Sequence, residues 1–239
     1  IPNIPNIQLS VPLGQLPLFG GEQTIFTPGA AGFNVRFAIE DSYKIAGGFP
    51  GFPGMVVDYV ANKGPGVSYG LAMPDSPDNY AMKYAAQYPM QTVTSHSMLL
   101  PFTYAGVTGA YMYEPPAVMQ PNEERTYTSY FVVGRGDVAS VYDTILETRK
   151  TATGIVGGRV VDKHSSEPVA NASVVILDGG GNPIDQAETD AGGSFLAHLP
   201  AGTYKYTVVT DDRTPSDPVE FTVVAGLTTG VGTALPGRC

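Results

Sequence analysis

The chain has 239 residues, room for two cores of ordinary domain size, and Gly (29) and Pro (21) run through a sequence that is 43% hydrophobic and rich in Val, Tyr, Phe and Thr. That composition calls for short strands joined by tight turns. Charged residues are only 15% and the net charge is −9, which argues against a nucleic-acid partner, because neutralising phosphates takes clustered Lys and Arg. The one cysteine is the last residue, Cys239, so neither an intrachain disulfide nor a Cys-based metal site is available.

No stretch approaches the roughly 20 apolar residues of a membrane span. The opening IPNIPNIQLSVPLG lacks the basic start and apolar centre of a signal peptide, and a chain running from Ile1 to GRC reads as a segment excised from a longer protein. Residues 1 to about 30, with IPNIP, GQLPLFGG and TPGAAG, read as an extended, irregular segment. In FNVRFAIE, Phe33, Val35, Phe37 and Ile39 alternate with polar or small residues, the period of a half-buried strand. GGFPGFPG (47–54) is a loop, and MVVDYVA, VSYGLAM, 92–104 and 107–113 are further strands.

NYAMKYAAQYP is ambiguous, since Tyr80, Tyr84 and Tyr88 share a face at both helical and strand spacing, and it is assigned as irregular or short helix. RTYTSYFVVG, rich in β-branched and aromatic residues, is expected to be a central strand. In DVASVYDTILETR the period changes: Val138, Val141, Tyr142, Ile145 and Leu146 form one apolar stripe, with Asp137 placed as N-cap. This amphipathic helix is expected to pack on the first sandwich and set the angle between two domains. TATGIVGG (151–158) reads as the linker. Beyond it GRVVD, ASVVILD, IDQAET, SFLAHL, TYKYTVVT, PVEFTVVA and TTGVGTAL are short strands at regular intervals, as a sandwich of two sheets requires.

Four ordered motifs lie in this second half: the G-x-V of Gly158 to Val160, an EP-type turn from Glu167 to Ala172, T-D-x-x-G-x-F from Thr189 to Phe195, and L-P-x-G-x-Y from Leu199 to Tyr204. Pro168 stiffens the start of a strand, Asp190 with Gly192 and Gly193 makes a tight turn, and Pro200 with Gly202 reverses the chain so that Tyr204 enters the core. Together they resemble the carboxypeptidase regulatory-like family. The resemblance implies a seven-stranded transthyretin/prealbumin-like sandwich, grouped with carbohydrate-binding-like folds, that accompanies a separate catalytic domain. It permits glycan binding without requiring it. YTSYFVVGRGDVASVYDTI in the first half is similar to the β-rich region upstream of such domains in large exported bacterial proteins, some of which carry a PHP-type metal-dependent phosphoesterase. The closely spaced histidines of that hydrolase have no counterpart here.

Motifs for chemistry are weak. His96, His164 and His198 are far apart and form no H-x-H or H-E-x-x-H arrangement. Ser95, His96 and Asp58 make a trio on paper, without a nucleophile elbow. GDVASV, DGGGNP and Asp190 to Ser194 read as turns and not as phosphate or calcium loops. No catalytic, cofactor or metal residue is assigned. A ligand or docking surface is sought instead among aromatic residues in or beside loops: Tyr43, Phe49, Phe52, Tyr80, Tyr84 and Tyr88. These rings either stack on sugars, dock a neighbouring domain, or cap the open ends of the first sandwich. The chain has no Trp, so the strongest stacking ring is missing.

The expectation is an all-β chain of two β-sandwich domains, 1–150 and 158–239, with one amphipathic helix before the linker. It is non-enzymatic and extracytoplasmic, an accessory part of an exported multidomain bacterial protein. Its partners are the neighbouring domains; a carbohydrate-binding module and the non-catalytic part of a metal-dependent hydrolase are the alternatives.

Overall fold

A computed structural model describes residues 13–15, 25–28, 32–33, 55–84, 93–104, 107–113 and 118–236. The alternating strand expected at 33–40, Phe33 apart, and the loop at 47–54 lie outside the described residues. The protein is all-β, with β1 (Leu13–Gln15), β2 (Ile25–Thr27), β3 (Gly32–Phe33), β4 (Met55–Val57), β5 (Tyr59–Asn62), β6 (Ser68–Ala72), β7 (Met98–Tyr104), β8 (Val107–Tyr113) and β9 (Tyr130–Gly134) before residue 135. Helix α1 is Tyr80–Tyr84, the short helix allowed by the tyrosine spacing, and α2 is Val138–Thr148. Then come β10 (Thr153–Asp162), β11 (Ser173–Leu177), β12 (Pro183–Glu188), β13 (Ser194–Pro200), β14 (Gly202–Val209), β15 (Val219–Val223) and β16 (Thr228–Leu235).

Among the described residues, four sheets have the orders β1-β8-β7-β4, β3-β2-β5-β6-β9, β13-β10-β16 and β12-β11-β14-β15. The run expected to be a central strand, 125–134, is strand only from Tyr130 to Gly134 and stands at the end of its sheet. Its alternation explains why: Val132 is buried, whereas Phe131 and Val133 are 63% and 56% exposed. The described residues fall into two compact units, the first drawn from 1–25, 33–60 and 71–131, the second from 26–32, 61–70 and 132–239.

In the first unit Val57, Val60, Leu71, Met73, Met98, Leu100 and Met112 make the core, with Tyr113 against it. Antiparallel pairing of β4 with β7 sets Met55 opposite Leu100 and Val57 opposite Met98. Methionine side chains, unbranched and polarisable, fill the irregular space between such short strands.

Within the second unit, β10 to β16 form a sandwich of seven strands, three in one sheet and four in the other. β10 pairs antiparallel with β13 and parallel with β16, and β14 lies between β11 and β15. Alternation along each strand puts Val156, Val160, Val174, Ile176, Val208 and Val223 inside. Tyr206, 1% exposed, is the most deeply buried aromatic residue of this core, beside Phe195 and Phe221. Its hydroxyl donates to the Gly232 carbonyl at 2.9 Å and accepts from Thr233 Oγ1 at 2.7 Å. Tyr204, expected in that role, is half-buried instead: it packs on Phe221 at 5.9 Å between ring centres and donates to the Pro200 carbonyl at 3.0 Å, locking the turn it follows.

The expected linker is not one. From Thr153 onward it is strand, paired with β13 through Thr153 opposite Pro200. Val156 within it is 1% exposed in the core. Its glycines imitate a flexible spacer in sequence but answer to close approach: a Cβ at Gly158 would run into the Val231 carbonyl oxygen, and one at Gly154 into that of Val224.

The helix also departs from expectation. Its stripe is buried as the periodicity requires, with Val138, Val141, Ile145 and Leu146 inside. It belongs, however, to the second unit and lies against β12 and β13. Asp137 caps it as expected, accepting from Ser140 N at 3.0 Å, while its second oxygen accepts from Glu188 N at 3.2 Å on β12. Nearly two turns further, Asp143 accepts from His198 N at 2.9 Å on β13. Two helix carboxylates thus take N–H groups at strands that end their sheets, groups that otherwise invite a further strand.

Candidate functional site

Of the residues expected to form a docking surface, Tyr43, Phe49, Phe52 and Tyr88 lie outside the described residues. Tyr80 and Tyr84 open and close α1. Tyr80 is half-buried and has interaction partners; of Tyr84 only the backbone is described. Of the six rings, only that of Tyr80 is described.

The structure places a cleft beside α1. The loop leading into that helix is clamped by Asn79, 0% exposed, whose side-chain amide donates to Ser76 O and Thr94 O, each at 3.1 Å, while its oxygen accepts from Met82 N at 2.6 Å. Ser76 N donates to Ser95 O, and Asp78 N to Ser76 Oγ. Asn79 is also bridged to Tyr113 at the end of β8. These bonds fix one wall, and 125–128 supplies the other. Between them is a cleft of about 390 Å³ lined by Pro74, Asp75, Ser76, Asp78, Lys83, Tyr113, Arg125, Thr126, Tyr127 and Thr128.

Two tyrosines form its aromatic part. Tyr113 and Tyr127 have ring centres 5.3 Å apart and planes at 54°, a favourable tilted pair. The Tyr113 hydroxyl donates to Thr128 O at 3.0 Å, and burial pushes its pKa up. Tyr127 is 38% exposed. Arg125 is held by Glu123, its Nε donating to Oε1 at 2.6 Å. The Glu123 carboxyl is in turn held below its usual range by the Gln120 N–H first and by Arg125 second. The sequence hides this group, because Arg125-Thr-Tyr127-Thr alternates like the start of a strand, yet β9 begins only at Tyr130.

The polar groups that suggested chemistry hold turns. Asp58 accepts from Thr94 Oγ1 at 2.8 Å and Ser97 Oγ at 3.0 Å, and the neighbouring His96 reaches Asp75 at 4.0 Å. Asp178 and Asp190 cap their glycine turns by accepting from Gly180, Asn182, Gly192 and Ser194 N–H groups, each at 2.8–2.9 Å, and Gly193 has the φ of +74° that its turn needs. Asp162 accepts from His164 N and Ser165 N and pairs with Arg213, whose guanidinium holds the carboxyl well below the usual range.

A second cleft, also about 390 Å³, lies in the second unit and is lined by Asp143, Leu146, Glu147, Lys150, Thr151, Thr153 and His198. Behind it Asp185 on β12 is 0% exposed; its Oδ1 accepts from Gln186 N at 2.8 Å, and Oδ2 has no hydrogen-bond partner among the described residues. Burial first, then the nearby Asp143 carboxyl, pushes the Asp185 pKa well up. Burial and a neighbouring carboxyl both disfavour the charged form. Burial also pushes Asp143 up, against the pull of its contacts with His198.

Fold and site together define a β-sandwich module with turns and edges held by carboxylates. Residues 155–236 match the carboxypeptidase regulatory-like domain, and the seven-stranded sandwich is such a domain. This family fits a non-catalytic accessory role. No curated protein matches the chain. Solved structures similar to part of this chain include a DUF3823 family protein from Bacteroides ovatus, 17% identical over 34% of this chain and 43% of its own, with a TM-score of 0.28. A DUF3823 family protein from Parabacteroides merdae is 17% identical over 37% and 47%, TM-score 0.29. The minor pilin of Streptococcus agalactiae is 13% identical over 72% and 84%, TM-score 0.32. The chain spans less than half the length of the two DUF3823 proteins, and likenesses at these TM-scores carry no inference about function. Among the described residues no helix is long and apolar enough to cross a membrane.

Proposed function

We propose that the chain is an accessory segment of an exported multidomain bacterial protein, spacing or docking its neighbouring domains without performing chemistry itself. One observation carries this reading: the carboxylates with the best-defined surroundings, Asp58, Asp137, Asp143, Asp162, Asp178 and Asp190, each accept hydrogen bonds that hold a turn, a cap or a strand edge. A group spent in this way is fixed by the fold and is not free to move a proton at a substrate. The second module of that segment begins ahead of α2, because the helix closes the edges of β12 and β13 that residues 158–239 alone would leave open.

The purified chain tests the proposal against soluble phosphoester, ester and glycoside substrates, with and without added divalent metal. No turnover above a heat-denatured control is expected. Turnover lost in a His198→Ala or His96→Ala variant that still folds would replace the accessory role with a catalytic one.

A further inference from the structure

We infer that the cleft between the 74–78 loop and residues 125–128 is a binding site for a neutral saccharide. Its volume of about 390 Å³ falls in the range of small-ligand sites, about 300–1,000 Å³, and its lining has a division of labour suited to a pyranose. The tilted Tyr113–Tyr127 pair offers aromatic surface, with the exposed Tyr127 at the rim. Such rings combine an apolar body for the C–H face of a sugar with a polar tip.

Around them stand groups that suit adjacent hydroxyls. Asp75 and Asp78 supply carboxylate acceptors, Lys83 and Arg125 donors, and Ser76, Thr126 and Thr128 hydroxyls that do either. Two carboxylates and two cationic groups line the cleft, and Arg125 is paired with Glu123, so neither sign of charge dominates the site. The walls are already built, since Asn79 clamps the loop and Glu123 aims the Arg125 guanidinium. A preformed site loses less entropy on binding. The assignment adds a ligand to the accessory role and does not depend on which domains flank the chain.

The test is titration of the full chain with cellohexaose, xylohexaose, laminarihexaose, mannohexaose and N-acetylchitohexaose, followed by calorimetry and by amide chemical shifts, with oligogalacturonate as the charged comparison. At least one neutral oligosaccharide is expected to bind and to shift the amides of 125–128. Tyr127→Ala should weaken that binding about tenfold or more, equivalent to about 1.4 kcal/mol. Tyr69→Ala, which removes an exposed tyrosine outside the cleft, should leave it unchanged. Should Tyr127→Ala melt abnormally, Asp75→Ala serves instead: its side chain is 74% exposed, and about a threefold loss is expected from one missing hydrogen bond. Failure of all five neutral sugars to bind at millimolar concentration, binding of oligogalacturonate alone, or affinity untouched by the cleft substitutions would overturn the assignment.

Discussion

Asp143 holds His198 twice: one carboxylate oxygen accepts the backbone N–H at 2.9 Å, and the other lies 2.9 Å from the ring Nδ1, out of line for a hydrogen bond. The backbone contact gives the pair its structural meaning, because His198 N belongs to β13, which ends its sheet. Replacing Asp143 by Ala leaves that N–H without its charged acceptor. Hydrogen bonds to charged groups contribute about 1.5–3 kcal/mol, so the second unit should lose about 2 kcal/mol in urea unfolding, with Asp143→Asn recovering part of it. An unchanged midpoint for Asp143→Ala would show that the edge needs no cap.

Helix α2 supplies that carboxylate and the Asp137 carboxylate on β12, so it should behave as part of the sandwich. A fragment spanning 132–236 is expected to melt cooperatively and above a fragment spanning 153–236. In the longer fragment Ile145→Ala, at a 0% exposed position, should cost about 2–5 kcal/mol. Equal melting of the two fragments would detach the helix from the sandwich.

Asp185 gives the fold a pH dependence with a definite sign. Its folded-state pKa is raised, so above the unfolded value of about 4 the native state retains a proton that the unfolded chain has lost. Stability then falls as pH rises through the window between the two values and stays lower above it. Asp185→Asn removes this titration. The variant should gain on the parent chain as pH rises above about 4, measured as the difference in urea midpoint; parallel profiles would mean that the carboxyl is not buried.

Tyr206 and Tyr204 separate core from turn. Tyr206→Ala should cost about 3–5 kcal/mol, and Tyr206→Phe about 1 kcal/mol for the bonds to Gly232 and Thr233. Tyr204→Ala, removing a half-buried ring, should cost roughly half as much as Tyr206→Ala. The opposite order would restore Tyr204 to the core.

These residues also show what a sequence discloses. Period-two alternation marks Val174 and Ile176 on β11 and recurs on β13, because a pleated sheet with one wet face permits little else; β12, which buries Asp185, Gln186 and Ala187 in succession, does not show it. The Asp137 cap and the apolar stripe of α2 are equally local. What is not local is the partner: the stripe says that α2 is covered, not by which sheet, and Gly154 and Gly158 look like a linker until Val224 and Val231 are seen against them. The candidate cleft was the least legible. Tyr113 and Tyr127 meet through side-chain contacts between the end of β8 and a loop, whereas the tyrosine spacing in α1 drew attention to Tyr80 and Tyr84. In the first unit short strands and loops carry the site, and no period announces a loop contact.

The most direct measurement of the accessory role compares the longer protein proposed here with and without these 239 residues, reading the chemistry of the flanking domains and, by small-angle X-ray scattering, the distance between them. Deletion is expected to change the spacing of the flanking domains while each keeps its own activity. Loss of a chemical step from flanking domains that remain folded would contradict the account, since the missing group would then have to lie within this chain.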